Sequence, residues 1–547
     1  MIKTLIKAFF ILVAVFLQTG ISNGQVVWEN PKSGVYPFLS RQAQKGIISL
    51  DDIIQPISRK HIYDKLIELA SSTVSLSSVE QKELGFYLIE YSEFNKDLPD
   101  SSGILKNDEA GRWRFLSVKK GDFILRGDPV LQSSLVLGDG KNVFTWSNGI
   151  NFWGHAGNHF AFQASFRDIT ESGKRIDSIR KFTQEPGIVR TISENKQKLN
   201  YTDLRGYVSY GWENGSISVG KDQLLSGYGE GGRIILSDKA PSYPLIRLDY
   251  QPLKWLKFNY SHAWLHSNLI DSARSYSTGN NVYGGIRETY IPKYLASHSF
   301  TFIPTKGLTL TLGESIVYSD RLEIGYLIPV MFFKAYDHYS SRYKINTGGN
   351  GQFFFQASSR NHIKNTHLYG SFFIDEIRTS AIFNRDQSRN QVGIQLGGSL
   401  TDVFVPYLTT GLEYTRINPF VYQNLAPVQN YSSQDYGLGD WIGQNADRLT
   451  ATLKYNPYPR LSVNLRLDYL RKGKDGSVND QYFAQPQPKF LTGGFETQKQ
   501  LLLDLRYELK HKLYLNAAYY KQAGIIRPGL QTAVVPQEIR FGFSYGW

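Results

Sequence analysis

From about Gly121 almost to the end of the chain, apolar and polar side chains alternate one by one, and after Leu17 no segment carries the long apolar stretch that a membrane-crossing helix requires. Period two sustained over so long a stretch commits the chain to strands. Leu461, Val463, Leu465, Leu467 and Tyr469 alternate with Ser462, Asn464, Arg466 and Asp468, and Leu503, Leu505 and Tyr507 alternate with Asp504 and Arg506. In the closing segment Ile539, Phe541, Phe543, Tyr545 and Trp547 share one face, and Arg540, Gly542, Ser544 and Gly546 share the other. One face suits lipid and the other a wet lumen. A soluble sandwich alternates in the same way with core and solvent exchanged, so alternation alone does not decide between them.

Connection lengths do decide. Short turns near Glu508 to Lys510, Pro457 to Pro459, Asp402 to Phe404, Pro304 to Gly307, Pro252 to Lys254 and Glu213 to Gly215 alternate with long polar excursions. The long ones run near Gln522 to Gln537, Lys472 to Thr497, Ile417 to Ala446, Ser267 to Lys293, Leu224 to Tyr243 and Ile169 to Asn200. Short periplasmic turns with long extracellular loops are the asymmetry of a bacterial outer-membrane barrel. The fold class expected is therefore an all-β transmembrane barrel of about 18 antiparallel strands. The stretch from Tyr318 to Lys364 is ambiguous: read as one outer excursion it gives about 18 strands, and with a further hairpin about 20. Trp146, Trp153, Trp212, Trp255 and Trp264 fall at or near expected strand ends, where indole rings favour the membrane interface.

The first 118 residues read differently. Lys3 and Lys7 precede an apolar run from Ala8 to Leu17, and Ser22 and Gly24 stand just before a cleavage point ahead of Gln25, so residues 1–24 are expected to be a secretion signal peptide. Over 25–118 a small periplasmic helical domain is expected, with the barrel over 119–547. Ser58 can cap a helix that carries Ile62, Leu66 and Leu69 on one face, and Ser78 with Gln81 forms a capping pattern ahead of Leu84, Tyr87, Leu88 and Tyr91. A link rich in Ser and Thr from Ser71 to Ser77 joins the two into a hairpin that packs against the barrel mouth or binds a partner. With no cysteine in the chain, disulfides, thiolate metal sites, a cysteine nucleophile and lipoprotein attachment are excluded. Mean hydropathy of −0.32 beside 35 Tyr, 32 Phe and 49 Gly fits half-apolar strands with aromatic ends and tight turns. The formal charge of +13 becomes 13 − 2 = +11 once Lys3 and Lys7 leave with the signal, a weak pull toward anionic polymers or head groups that a merely solvated surface explains equally well.

Candidate chemistry is sparse. His155 with His159 and His262 with His266 have a metal-like spacing, but residues four apart on a strand are separated by roughly 13 Å, so no metal site is expected. The glycine runs Gly227 to Gly232 and Gly437 to Asp440 open no helix in a βαβ unit and read as loops. No nucleophile elbow or other hydrolase motif is found, so the chain reads as a non-enzyme without cofactor, although a triad assembled from distant positions has no sequence signature. In the loop from Ile417 to Ala446, Trp441 stands with Phe420, Tyr422, Tyr431, Asp435, Tyr436 and Asp440. Sugar rings stack on aromatic faces while carboxylates accept their hydroxyl hydrogen bonds, so the mixture suits a glycan platform. The alternative is that these side chains pack the loops together over the barrel mouth. Trp441, Tyr436, Tyr431, Tyr422, Asp440, Tyr228, Glu230 and Arg233 are the expected polysaccharide contacts.

The segments Ser218-Val219-Gly220-Lys221-Asp222-Gln223, Gly227-Tyr228-Gly229-Glu230-Gly231, Leu236-Ser237-Asp238-Lys239-Ala240-Pro241 and Tyr414-Thr415-Arg416-Ile417-Asn418-Pro419 resemble the Wzi-type capsule assembly family. The resemblance implies an 18-stranded outer-membrane barrel with a periplasmic helical bundle, acting as a surface lectin that organises capsular polysaccharide. The layout also resembles RemB, a gliding-motility protein of the same barrel group. Expected partners are an anionic surface polysaccharide, outer-membrane lipid and lipopolysaccharide, and the barrel assembly machinery during biogenesis; nucleic acid is not among them, and the barrel is expected as a monomer. Two other classes fit the same sequence, an adhesion or gliding-motility component and a diffusion porin with a clear lumen.

Overall fold

The computed structural model describes residues 25–174, 176–189, 197–281, 284–341, 348–377, 380, 383–384, 386–524 and 537–546. The expected signal peptide and Trp547 lie outside them. Eighteen antiparallel strands close into a barrel. They are β1 (Phe123–Gly138), β2 (Lys141–Ala156), β3 (Phe160–Lys174), β4 (Lys198–Trp212), β5 (Gly215–Asp222) and β6 (Tyr243–Leu253). Next come β7 (Leu256–Leu265), β8 (Lys293–Thr305), β9 (Leu308–Ser319), β10 (Asn350–Arg360), β11 (Thr366–Glu376) and β12 (Gln391–Thr401). The last six are β13 (Leu408–Ile417), β14 (Ala446–Tyr458), β15 (Leu461–Gly473), β16 (Phe495–Lys510), β17 (Leu513–Ala523) and β18 (Gln537–Tyr545). Closure pairs β18 with the upper half of β1, from Glu538 opposite Gly138 to Tyr545 opposite Leu131. The lower half of β1 pairs instead with Trp113–Lys120, the second strand of a hairpin begun by Ser101–Asn107.

The alternation read from the sequence has the expected sense: Leu467 and Tyr469 are exposed on the outer wall, and Asp468 is buried facing the lumen. No helix among the described residues is long and apolar enough to cross a membrane. The stretch from Tyr318 to Lys364 is not a single excursion. It holds an outer loop, the strand β10 and the start of a periplasmic turn, and the barrel still closes at 18. Strand β10 escapes the pattern because Phe353, Phe354 and Phe355 follow one another, with Phe353 and Phe355 outward and Phe354 buried inward. Trp153 corrects the interface assignment. It faces the lumen, where the guanidinium groups of Arg59 and Arg114 sit 5.1 and 5.0 Å from its ring, whereas Trp146 and Trp255 are exposed.

Three helices stand at the short-turn end. Ser58 caps α2 (Arg59–Ala70) by accepting from the His61 amide, and Ile62, Leu66 and Leu69 are buried as the spacing predicts. The capping box of α3 (Ser78–Glu90) is Ser77 with Glu80, one residue earlier than the Ser78 and Gln81 pattern. An additional helix, α1 (Val35–Gln44), carries no side-chain cap at Gly34, which removes its start mark from the sequence. The bundle is keyed to successive periplasmic turns. Arg41 pairs with Asp402 at 2.6 Å, the Phe86 ring stacks on His511 at 3.8 Å, and Glu83 accepts from the Arg460 amide at 2.8 Å.

Candidate functional site

From the bundle, residues 51–57 rise into the barrel, and from the opposite end the loop of residues 223–242 descends to meet them. Ile54–Gln55 pairs antiparallel with Leu225–Ser226, and the Gly227 amide donates to Ile53 O at 2.8 Å. Asp52 fastens the junction by pairing with Arg360 at 2.9 Å and accepting from the Tyr228 hydroxyl at 2.6 Å. The loop of residues 418–445 packs beside them. Leu224, Ile234, Ile235, Leu236, Val421, Leu438 and Ile442 form an apolar cluster with Phe354 and Phe373 from the strands. The lumen is thus filled by a plug with its own hydrophobic core.

All eight residues expected to touch polysaccharide belong to this plug, and the aromatic ones are used up within it. Trp441 donates from Nε1 to Gly231 O at 2.7 Å, meets Phe182 edge-on at 5.1 Å and has the Arg448 guanidinium 5.6 Å from its ring. Tyr422 and Tyr431 stack on each other at 5.7 Å and donate to Ile234 O and Ile235 O. Tyr436 donates to Ile179 O, and Gly187 lies so close to its ring that a Cβ there would sit 2.5 Å away. Trp441 is 7% exposed and Tyr431 2%. Trp441, Tyr422, Tyr431 and Tyr436 each spend their polar atom on a backbone carbonyl inside the plug, and Tyr228 spends its hydroxyl on the Asp52 carboxylate.

The polar members hold the plug to the wall. Asp440 takes Arg448 in a two-pronged pair at 3.0 and 2.9 Å, and Glu413 stands 3.6 Å from the same fully buried guanidinium. The chain passes so near that a Cβ on Gly231 would fall 2.4 Å from Arg448 Nε and one on Gly232 2.6 Å from the Asp440 carboxylate, which explains the glycine run as close approach. Glu230 pairs with Lys454 at 2.7 Å. Burial pushes Lys239 down to about 8, yet its ammonium still ties the loops of residues 176–189 and 223–242 by donating to the carbonyls of Arg180, Thr183 and Glu185. His155 donates from Nδ1 to Asp122 O at 3.2 Å, and His159 donates from Nδ1 to Gly211 O at 2.8 Å.

Beside the plug lies a cavity of about 600 Å³, within the size range of ligand sites. Asn30, Pro31, Lys32 and Gln55 line its inner end, residues of the segment 176–189 its outer end, and β1 to β5 with β16 to β18 its wall. Of the eight expected residues only Arg233 lines it. Its lining also includes strand residues that alternation alone marks as inward-facing: Arg167 paired with Asp203 at 2.9 Å, Arg205 bridging Asp203 and Asp222 at 3.1 and 3.2 Å, and Tyr201 donating to Glu171 at 2.8 Å. Basic and acidic linings nearly balance, seven against six. Such an array of planar polar groups presents donors and acceptors in fixed directions without a large net field, which suits a ligand rich in hydroxyls better than a highly charged one.

The family model for capsule assembly protein Wzi matches residues 143–524. Among solved structures, Escherichia coli Wzi, described as an outer membrane protein involved in group 1 capsule assembly and a carbohydrate binding β-barrel, is similar over 96% of this chain and 99% of its own, with 13% identity and a TM-score of 0.56. Pseudomonas aeruginosa OccK8 (OprE) covers 77% of this chain and 97% of its own at 11% identity and a TM-score of 0.43. No curated protein matches the chain.

Proposed function

This chain belongs to the capsule assembly protein Wzi family, and from that premise we propose that it acts in the bacterial outer membrane as a lectin that binds and retains surface polysaccharide. The cavity between plug and wall is the proposed sugar-contacting surface, with Arg167, Tyr201, Asp203, Arg205 and Arg233 as its polar contacts. One observation carries the reading: the lumen is given over to a plug with a packed core, and the polar cavity is held beside it. A diffusion porin needs the opposite, a clear bore lined by charges. Polymer retention needs only modest affinity at each contact, since a repeating chain engages again and again at high effective concentration. The near balance of charge in the cavity favours recognition of hydroxyls, and the anionic character of the polymer would be met by the basic excess elsewhere on the surface. The helical bundle is proposed to remain periplasmic after removal of residues 1–24.

The test compares cell-associated with released polysaccharide in cells that carry or lack the protein. Loss of retention on deletion, restored by the wild-type gene, is expected. Full retention with loss of surface movement would transfer the protein to the adhesion and motility class.

A further inference from the structure

Part of the long loop between β9 and β10, residues 320–341, folds back over the outer wall of the barrel. Leu248, Tyr260, His298, Glu314 and Phe353 are successive partners in one row across β6 to β10. They face outward with Phe300 and Leu312, both exposed. Glu314 stands in the middle of the 12-residue β9, and a tilted strand of about 10 residues spans the hydrocarbon layer. A carboxylate there is costly unless covered.

It is covered. The amides of Phe333 and Lys334, at the start of α4 (Phe333–Ser340), donate to the two Glu314 oxygens at 2.9 and 2.6 Å, and His298 Nε2 lies 3.5 Å from the same carboxylate. Phe333 packs on His298 at 4.4 Å, and Tyr326 packs on Tyr318 at 4.6 Å while its carbonyl accepts from the Tyr260 hydroxyl. An apolar core distinct from the lumenal one, with Phe258, Tyr260, Ala296, Ile316 and Tyr318 from the wall and Tyr326 and Phe333 from the loop, seals the contact.

The exposed side chains on the other side of this strap are apolar, while its two charged residues are half-buried: Glu323 pairs with Arg321 at 2.6 Å and Lys334 stands in the first turn of α4. Between Leu322 and Ala335 the exposed residues are Leu322, Ile324, Ile328, Val330, Phe332 and Ala335, whereas Asp320 and Arg321 precede them and His338 and Ser340 follow. Phe332 lies 6.2 Å from Phe353, an outward member of the barrel's own lipid-facing band, so the strap continues that band without a break.

We propose that residues 322–335 are an intramembrane strap whose outer face is occupied by the hydrocarbon chains of the outer leaflet. The strap shields the His298–Glu314 pair, widens the barrel's apolar girdle on the β6 to β10 side, and takes no part in contacts with extracellular polymer. It stands independently of polysaccharide binding.

The absence of cysteine makes the test clean. Val330→Cys is spin-labelled in the otherwise unchanged full-length protein in outer-membrane lipid bilayers, and collision with oxygen, which concentrates in hydrocarbon, is compared with collision with a water-soluble nickel chelate. Leu312→Cys marks the lipid wall (53% exposed) and Phe483→Cys an extracellular loop (80% exposed). The oxygen-to-nickel ratio at Val330 is expected to match Leu312 and to exceed Phe483 by about fivefold or more. Ile324→Cys and Phe332→Cys are read alongside, so a variant that does not assemble leaves the comparison intact. A ratio equal to that at Phe483 would overturn the proposal by placing the strap in water. Protection from both reagents would overturn it in favour of a second protein or a second copy on this face.

Discussion

Trp441 spends its indole N–H on Gly231 and its ring on Phe182 and Arg448, so removing it hollows the plug instead of stripping a binding platform. Trp441→Ala should cost about 3–5 kcal/mol locally; planar-bilayer recordings should then show channel openings rare in wild type, and an unaltered closed state would refute the packing role. Arg448→Met should loosen the plug at least as much, because it leaves the Asp440 and Glu413 carboxylates buried without their cation, at a cost on the order of 3–5 kcal/mol. Arg233 differs from both. It is half-buried, lines the cavity, and donates from Nε to Gly227 O. Arg233→Ala should therefore weaken polysaccharide retention by about 1–2 kcal/mol at each contact while the lumen stays closed; a porous but fully retentive variant would reverse the two assignments. The aromatic and acidic content of residues 417–446 was legible in the sequence. Its inward fold was not, since a loop that packs over a mouth and one that dives into it have the same composition, and the decisive contacts with Gly231, Ile234 and Ile235 come from a loop about 200 residues away in the chain.

Among the elements, those with a local mark were readable and those without were not. Ser58 announces α2 by its cap, whereas α1 starts at Gly34 with nothing to announce it, and the consecutive Phe353, Phe354 and Phe355 erase the period of β10. The strap over β9 was hidden for a further reason: Glu314 looks like any inward charge until register shows that it points out of the barrel. Helix α3 makes a pH prediction. Burial opposes ionisation of Glu80, but hydrogen bonds from Lys45, the Ser77 amide and Arg41 outweigh it and hold the carboxyl at about 2 against an ordinary 4.5. A folded-state value below the unfolded one means that the stabilisation is complete above about pH 4.5 and is lost as pH falls toward 2. Because Arg41 also grips Asp402, the energy at stake is the docking of the bundle on the barrel. Glu80→Gln should make the 71–77 link more sensitive to protease at pH 7, by about 2 kcal/mol after allowance for nearby water. The difference from wild type should shrink steadily between pH 4.5 and pH 3. A gap that persists unchanged at pH 3 would assign the effect to shape instead of charge.

At the scale of the whole molecule, the two ends of the barrel are joined through its interior. The periplasmic segment 51–57 and the outer loop 223–242 share strand pairing, and Asp52 holds both Arg360 of the wall and Tyr228 of the loop. The plug is therefore supported from below as well as from the side. Disturbing the floor should be felt at the outer mouth: Asp52→Ala removes the partner of a buried Arg360, at a cost on the order of 3–5 kcal/mol, and frees the Tyr228 hydroxyl in one step. The distal consequence is that loops 176–189 and 418–445, which rest on loop 223–242 through Lys239, Tyr422 and Tyr431, lose their base. On intact cells, a tag at Phe483, exposed and remote from the plug core, should be reached by antibody equally in wild type and variant, and a tag in the 71–77 link should be reached in neither. Conductance should rise in the variant, and Asp52→Asn, which can still accept from Tyr228, should fall between the two. Equal conductance in all three proteins would show that the plug stands on its own loops, and the pairing of Ile54–Gln55 with Leu225–Ser226 would then be a contact without mechanical consequence.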